Sequence, residues 1–188
     1  MITNGIDFRN FAINKNSKLI KSYFRQLLKK KNQVIQSLSI NYKYSFKIKN
    51  IKKYKKFQNF RLIGMGGSSL GSEAIYDFLR KKIKKNFSFV DDLDVSNKIK
   101  SNKKCLNLIV SKSGETVETI INSNLIIKGK DKNLFIKENK NNYLYRLALK
   151  LKAEVIHHNN FIGGRYSVLS ETGMLPAELM GLDVKKFR

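Results

Sequence analysis

Proline occurs once in this 188-residue chain, cysteine once, and tryptophan not at all. A lone cysteine, Cys105, excludes an internal disulfide framework. It opens an apolar run, which suits burial. No apolar run approaches the ~20 residues of a membrane-spanning helix. The first residues lack the basic-then-apolar order of a secretory signal. A cytoplasmic protein with no membrane partner is therefore expected.

Acidic residues are scarce too: 14 Asp and Glu stand against 38 Lys and Arg, a net charge of +24. Such an excess attracts anions, whether nucleic acid, anionic membrane or phosphorylated metabolites. Here the lysines scatter through every segment instead of forming one stripe. Lys, Asn and Ile are abundant throughout, as an AT-rich genome would give. The charge reads as compositional, and nucleic acid is not an expected partner. Its field would still steer a phosphorylated sugar, most at low salt.

What is present is a foldable pattern. Hydrophobic residues make up 41% of the chain, and its length allows one domain with a sizeable core. Residues 17–38 read as one amphipathic helix that packs over a core. Leu19, Ile20, Tyr23, Phe24, Leu27 and Leu28 lie on one face, with Lys18, Lys21, Arg25 and Lys29 on the other. Residues 41–57 interleave aromatic and basic side chains. They suit a lysine-protected edge strand, an extended arm, or a nucleic-acid-binding stretch.

From residue 60 onward strands and helices alternate. Strands are expected at 60–64, 87–90, 106–110, 134–136 and 155–157. Helices are expected at 70–83, 116–127 and 143–151, with a last one at 174–180. The inward residues would be Leu70, Ala74, Phe78 and Leu79 in the first helix. In the second they would be Val117, Ile120, Ile121 and Leu125. The alternation predicts an α/β three-layer sandwich, a mostly parallel sheet flanked by helices. The expected division is a helical or extended segment at 1–58, a ligand-binding domain at 59–162, and a turn, helix and basic tail at 163–188.

Three segments follow expected strands, at the sheet edge where ligands bind in such folds. The first, GMGGSSLG at 64–71, lets the backbone turn sharply and approach a ligand, and Ser68 or Ser69 suits a helix cap. Alone it fits any tight strand-to-helix turn. It has neither a nucleotide P-loop lysine nor the dinucleotide spacing. The second, SKSGET at 111–116, gathers hydroxyls of Ser111, Ser113 and Thr116 around Gly114, ahead of a helix. Hydroxyls, a nest of backbone N–H groups and the positive helix end suit a phosphate monoester. Simple helix capping by Ser113 or Thr116 is the plainer reading. The third, GGRYS at 163–167, brings Arg165 in behind two glycines. Its guanidinium suits either a surface ion pair or stabilisation of charge developing on a sugar oxygen.

Taken in order, GMGGSSLG, SKSGETVET and GGRYSVLSETGMLPAELMGLD resemble the phosphoglucose isomerase family over roughly residues 60–183. The resemblance implies a sugar-isomerase (SIS), flavodoxin-like domain. It also implies interconversion of glucose 6-phosphate and fructose 6-phosphate through a cis-enediolate, with no metal or organic cofactor. By resemblance Ser111, Lys112 through its backbone, Ser113 and Thr116 hold the phosphate. Gly66, Gly67, Ser68 and Gly164 line the sugar, and Arg165 stabilises the enediolate. Full-length members form homodimers. The family's base glutamate and ring-opening histidine have no match here. Glu171 and Glu178 suit helix positions, and His157 and His158 a strand end or surface. The expectation is a fragment, a truncated product or part of a split enzyme that binds hexose phosphate without its base. A non-enzymatic SIS-type sugar-phosphate sensor is the alternative, against which the GGRYS arginine speaks.

Overall fold

A computed structural model describes residues 17–30, 32–93, 104–128 and 131–187. Five strands form one sheet in the order β2-β1-β3-β4-β5. They are β1 (Asn59–Ile63), β2 (Asn86–Val90), β3 (Cys105–Val110), β4 (Lys132–Lys137) and β5 (Glu154–His157). Every pairing is parallel. Both faces are buried, so the strands read as nearly continuous apolar runs. Phe60, Leu62, Leu106, Leu108, Val110, Leu134, Ile136 and Ile156 build the core on one face. Ile63, Ile109 and Phe135, one residue out of phase, build the other with Leu144 and Ala148. Cys105 opens β3 half-buried, and burial pushes its thiol pKa up. Among the described residues no helix is long and apolar enough to cross a membrane.

The helices are α1 (Ser17–Lys29), α2 (Gln33–Ser37), α3 (Ile48–Ile51), α4 (Leu70–Phe78), α5 (Val117–Ile126), α6 (Tyr143–Lys150) and α7 (Glu171–Leu179). The expected helix over 17–38 is two helices. Asn32 starts the second, its side chain accepting the N–H groups of Val34 and Ile35. The apolar stripe of α1 packs on nothing described: Leu19, Ile20, Tyr23, Phe24, Leu27 and Leu28 are all exposed. Residues 41–57 form no strand. They cross a sheet face through α3 and a 3-10 turn (Lys52–Tyr54). Phe46, Ile51, Tyr54 and Phe57 are buried in the core, and Lys85 Nζ holds the carbonyls of Lys55 and Phe57 at 2.8 Å.

Two helix faces meet expectation only in part: Leu79 and Ile120 pack against the core as expected, but their companions do not. In α4, Leu70 and Phe78 are exposed, while Ser72 and Tyr76 are buried. In α5, Val117, Ile121 and Leu125 are exposed, while Thr119, Asn122, Ser123 and Ile126 are buried. Small polar side chains allow a closer approach to the neighbouring layer. Hydrogen bonds offset the burial of the Ser72 hydroxyl and the Asn122 Nδ2, while Thr119 Oγ1 and Ser123 Oγ have no partner among the described residues. Asn122 Nδ2 donates to Asp92 O at 2.7 Å, and Ser72 Oγ donates to Thr172 O at 2.9 Å. The second bond has a further use. Pro176 sits inside α7 and lacks the N–H that would reach Thr172 O, so the Ser72 hydroxyl fills that place. All nine residues of α7 are buried.

The segment before α3 is fastened to α7 by a buried polar cluster. Glu171 is fully buried; it accepts from Ser45 N–H at 2.9 Å and Tyr42 Oη at 3.1 Å. His158 Nδ1 lies 3.6 Å away, an ion-pair separation too long for a hydrogen bond. Asn159 Nδ2 donates to Tyr42 Oη at 2.8 Å. Burial pushes the Glu171 pKa up. His158, the Ser45 amide, the residue's own backbone and Tyr42 pull it down and prevail. A carboxyl depressed in the folded state adds stability above its unfolded pKa, near ~4.3, and loses it as pH falls through the lower folded value. Glu171→Ala should cost about 2–4 kcal/mol, since it strands buried donors. In thermal melts from pH 7 to pH 3, the parent's advantage over Glu171→Gln should hold to about pH 5 and then shrink. An advantage that stays flat to pH 3 would contradict this role for the carboxylate.

Candidate functional site

The strand order places β1 and β3 side by side, and the chain leaves them in opposite directions along the sheet. In such sheets a crevice opens at the carboxyl ends of these two strands. The loops after β1 and β3 are the first two segments singled out in the sequence.

After β1, Gly64 N–H extends the ladder to Val90 O at 3.1 Å. Gly66 has φ +56°, a left-handed conformation that favours glycine. Gly66–Ser68 is a 3-10 turn leading into α4. Ser69 caps α4 without a side-chain bond; its hydroxyl donates back to Gly66 O at 3.3 Å, and it is buried. Ser68 is half-buried and makes no cap either.

The third segment docks onto this loop. Gly164–Tyr166 is another 3-10 turn, and a Cβ on Gly67 would lie 2.3 Å from Gly164 O. The two backbones therefore meet where only glycine fits at 67. Ser167 Oγ lies 2.7 Å from Gly164 O and 3.1 Å from Gly67 O, bridging the two loops. Ser170 and Thr172 both donate to Ser167 O, at 2.6 and 2.7 Å. Arg165 stands exposed at the crest, and among the described residues it has no ion-pair partner. The surface ion pair considered for it does not form there.

After β3, residues 111–116 close on themselves. Ser111 is buried, and its Oγ lies 3.1 Å from Thr116 Oγ1. It also accepts Gly114 N–H at 3.1 Å, and Ser113 Oγ accepts Glu115 N–H at 3.2 Å. Gly114 holds φ +69°. Thr116 is the N-cap of α5 but makes no side-chain cap bond, and Ser113 caps nothing. Simple capping is thus not what these hydroxyls do. The first-turn N–H groups of a helix have no intrahelical partner, and the helix dipole adds positive potential there. Lys112 O accepts Glu138 N–H at 3.0 Å, tying the loop to the end of β4.

The acids and histidines set aside in the sequence are structural. Glu171 starts α7 within its buried cluster, and Glu178, on α7, pairs with Lys55. His157 ends β5 and is exposed; His158 follows at the strand end, its N–H donating to Lys137 O at 2.8 Å, and is fully buried, not at the surface. Two residues at the site have no role assigned from the sequence: Ser167, the last residue of the GGRYS segment, and Asn142, whose side chain reaches Ser113 O from the start of α6. An Asn before a periodic apolar run does signal a helix cap, but not a second partner 29 residues away.

A family model described as "Phosphoglucose isomerase" matches residues 50–186. A glucose-6-phosphate isomerase of Prochlorococcus marinus subsp. pastoris is 37% identical over 151 residues, covering 72% of this chain and 29% of that protein. One of Methanocaldococcus jannaschii is 35% identical over 152 residues, covering 73% of this chain and 37% of that protein. The chain thus spans about a third of the length of these relatives. Among solved structures, a hypothetical protein from Thermus thermophilus superposes with a TM-score of 0.68 at 22% identity, covering 90% of this chain and 45% of that one. Tagatose-6-phosphate ketose/aldose isomerase from Escherichia coli gives 0.53 at 19% identity, covering 75% and 43%. At these identities the likeness is one of fold: a parallel α/β sandwich. The family match spans the loops after β1 and β3, the Gly-Gly-Arg turn and α7, and the chain belongs to the phosphoglucose isomerase family.

Proposed function

We propose that this chain is the sugar-phosphate-holding portion of a glucose-6-phosphate isomerase, acting in glycolysis and gluconeogenesis. Ser111, Ser113, Thr116 and the Lys112 backbone hold the phosphate. Gly66, Gly67, Ser68 and Gly164 line the sugar, and Arg165 stabilises the cis-enediolate formed as a proton moves between C2 and C1. The observation that carries this reading is the cradle at 111–116, where the Ser111 and Thr116 hydroxyls meet and Ser113 bonds the Glu115 N–H, beside a helix N-terminus that none of them caps. A dianionic phosphate monoester matches its donors and potential.

Its neighbour across the crevice supports the chemistry. Arg165 is exposed and unpaired among the described residues, so its donors need not be taken from another acid. No general base is assigned within the 188 residues. Glu171 and Glu178 are buried and engaged elsewhere, and the exposed Glu115 stands at the phosphate side. The chain should therefore bind hexose 6-phosphate and fail to turn it over alone.

Calorimetric titration with fructose 6-phosphate tests the cradle. Charge-assisted bonds contribute about 1.5–3 kcal/mol each, so Ser113→Ala with Thr116→Ala should weaken binding by about two orders of magnitude or more. Unchanged affinity would remove the loop from the phosphate site. A coupled assay of the purified chain should show no isomerase turnover, and measurable turnover would refute the missing base. Gly67→Ala, whose methyl must push the backbone of Gly164 aside, should cost about 1–3 kcal/mol in stability. It should also weaken sugar-phosphate binding, and a variant that melts and binds like the parent would separate the two loops.

A further inference from the structure

Asn142 reaches the cradle from a different crossover. It is buried and caps α6, where its Oδ1 accepts Tyr145 N–H at 3.1 Å. Its Nδ2 donates to the carbonyl of Ser113. Two residues on, Leu144 N–H reaches Gly114 O at 3.4 Å. The first turn of α6 thus grips two successive carbonyls of the loop.

A trans peptide sets its C=O and N–H on opposite sides. With the Ser113 carbonyl held toward α6, the Gly114 N–H faces the other way, 3.1 Å from Ser111 Oγ. With the Gly114 carbonyl held likewise, the Glu115 N–H lies 3.2 Å from Ser113 Oγ. Gly114 leaves the room for this grip: a Cβ there would fall 2.3 Å from Asn142 Nδ2. The segment leading to Asn142 is itself tied down. Buried Lys137 donates to Glu138 O at 2.5 Å and Lys140 O at 2.7 Å, and its ammonium lies 5.1 Å from the centre of the Tyr145 ring.

We infer that Asn142 is a positioning residue of the phosphate site: its carboxamide fixes the 113–114 peptide so that N–H, not C=O, faces the anion. Without that donor the peptide is free to turn over and present the negative end of a carbonyl dipole to the phosphate. The inference rests on the phosphate-binding reading of residues 111–116. It assigns Asn142 no contact with the substrate.

Two variants separate this from the cap. Asn142→Asp keeps the shape and the cap acceptor but places an oxygen where the donor was. Asn142→Ser keeps a capping hydroxyl on a side chain too short to span to Ser113. Both should melt within about 5 °C of the parent, because Ser, Asp and Asn cap comparably. Titrated separately with inorganic phosphate and with fructose 6-phosphate, both variants should bind about 10-fold or more weakly, by the same factor for each ligand. In the ligand-free chain, NMR hydrogen exchange at the Gly114 and Glu115 amides should quicken about 10-fold or more, with β3 amides unchanged. Parental affinity in both variants, or parental exchange at these two amides, overturns the inference. If the parent binds neither ligand, the phosphate reading fails. The exchange rates then still decide whether Asn142 orients the loop.

Discussion

The ladder between β1 and β3 is the constraint on which the site depends. It runs in register from Asn59 opposite Cys105 to Ile63 opposite Ile109. Both strands end at nearly the same level, so the two loops that follow start as neighbours. The chain then moves from β1 out to β2 and from β3 out to β4, and the crossovers diverge. In such sheets this divergence opens a crevice, and here glycine decides how closely two of the flanking loops approach. Gly67 lets the Gly163-Gly164-Arg165 turn settle against the first loop, and the Ser167 hydroxyl holds the two together. The ladder sets the positions of the first two segments, and this contact adds the third.

The sheet was legible in the sequence because both of its faces are buried. Runs such as Leu106 to Val110 need no partner information to be recognised as strands, and the alternation with helices fixes the fold class. The helix faces were less legible. Apolar periodicity shows that a helix has a stripe; it does not show which neighbour takes the inner side. In α4 and α5 the inner side belongs to Ser72, Tyr76, Thr119, Asn122 and Ser123. The polar members of that set are buried at tolerable cost where tertiary acceptors exist, as for Ser72 and Asn122. Those acceptors lie 100 and 30 residues away along the chain. The stripe of α1 is exposed, as are Leu70 and Phe78 of α4 and Val117, Ile121 and Leu125 of α5, while Leu79 and Ile120 pack on the core.

The site divides in the same way. Its hydroxyls, glycines and arginine were recognisable because residue type and local order carry their chemistry. The side chains that hold them in place were not. Ser167, Asn142 and the Glu171–His158–Tyr42 cluster act across gaps of between 13 and 129 residues, through pairings that exist only once the sheet is assembled. Residues 41–57 show the same limit. Their aromatic–basic alternation suggests a strand, yet these residues lie across a sheet face. Most of their aromatic side chains pack into the core, and their backbone is bonded to Lys85 and to Glu171.

The distribution of acids completes the electrostatic argument. Free carboxylates at the reacting end would oppose the dianion and the further negative charge that the proposed site is to hold. The chain has few acids, and of the three in the segment that carries Arg165, Glu171 and Glu178 are withdrawn while Asp183 is exposed. Glu171 is held ionised by His158, the Ser45 amide, its own backbone and Tyr42, and Glu178 is paired with Lys55. The bonds that anchor residues 42–55 to α7 therefore also engage these two carboxylates. In this fold, fastening the N-terminal segment and engaging the Glu171 and Glu178 carboxylates are one arrangement.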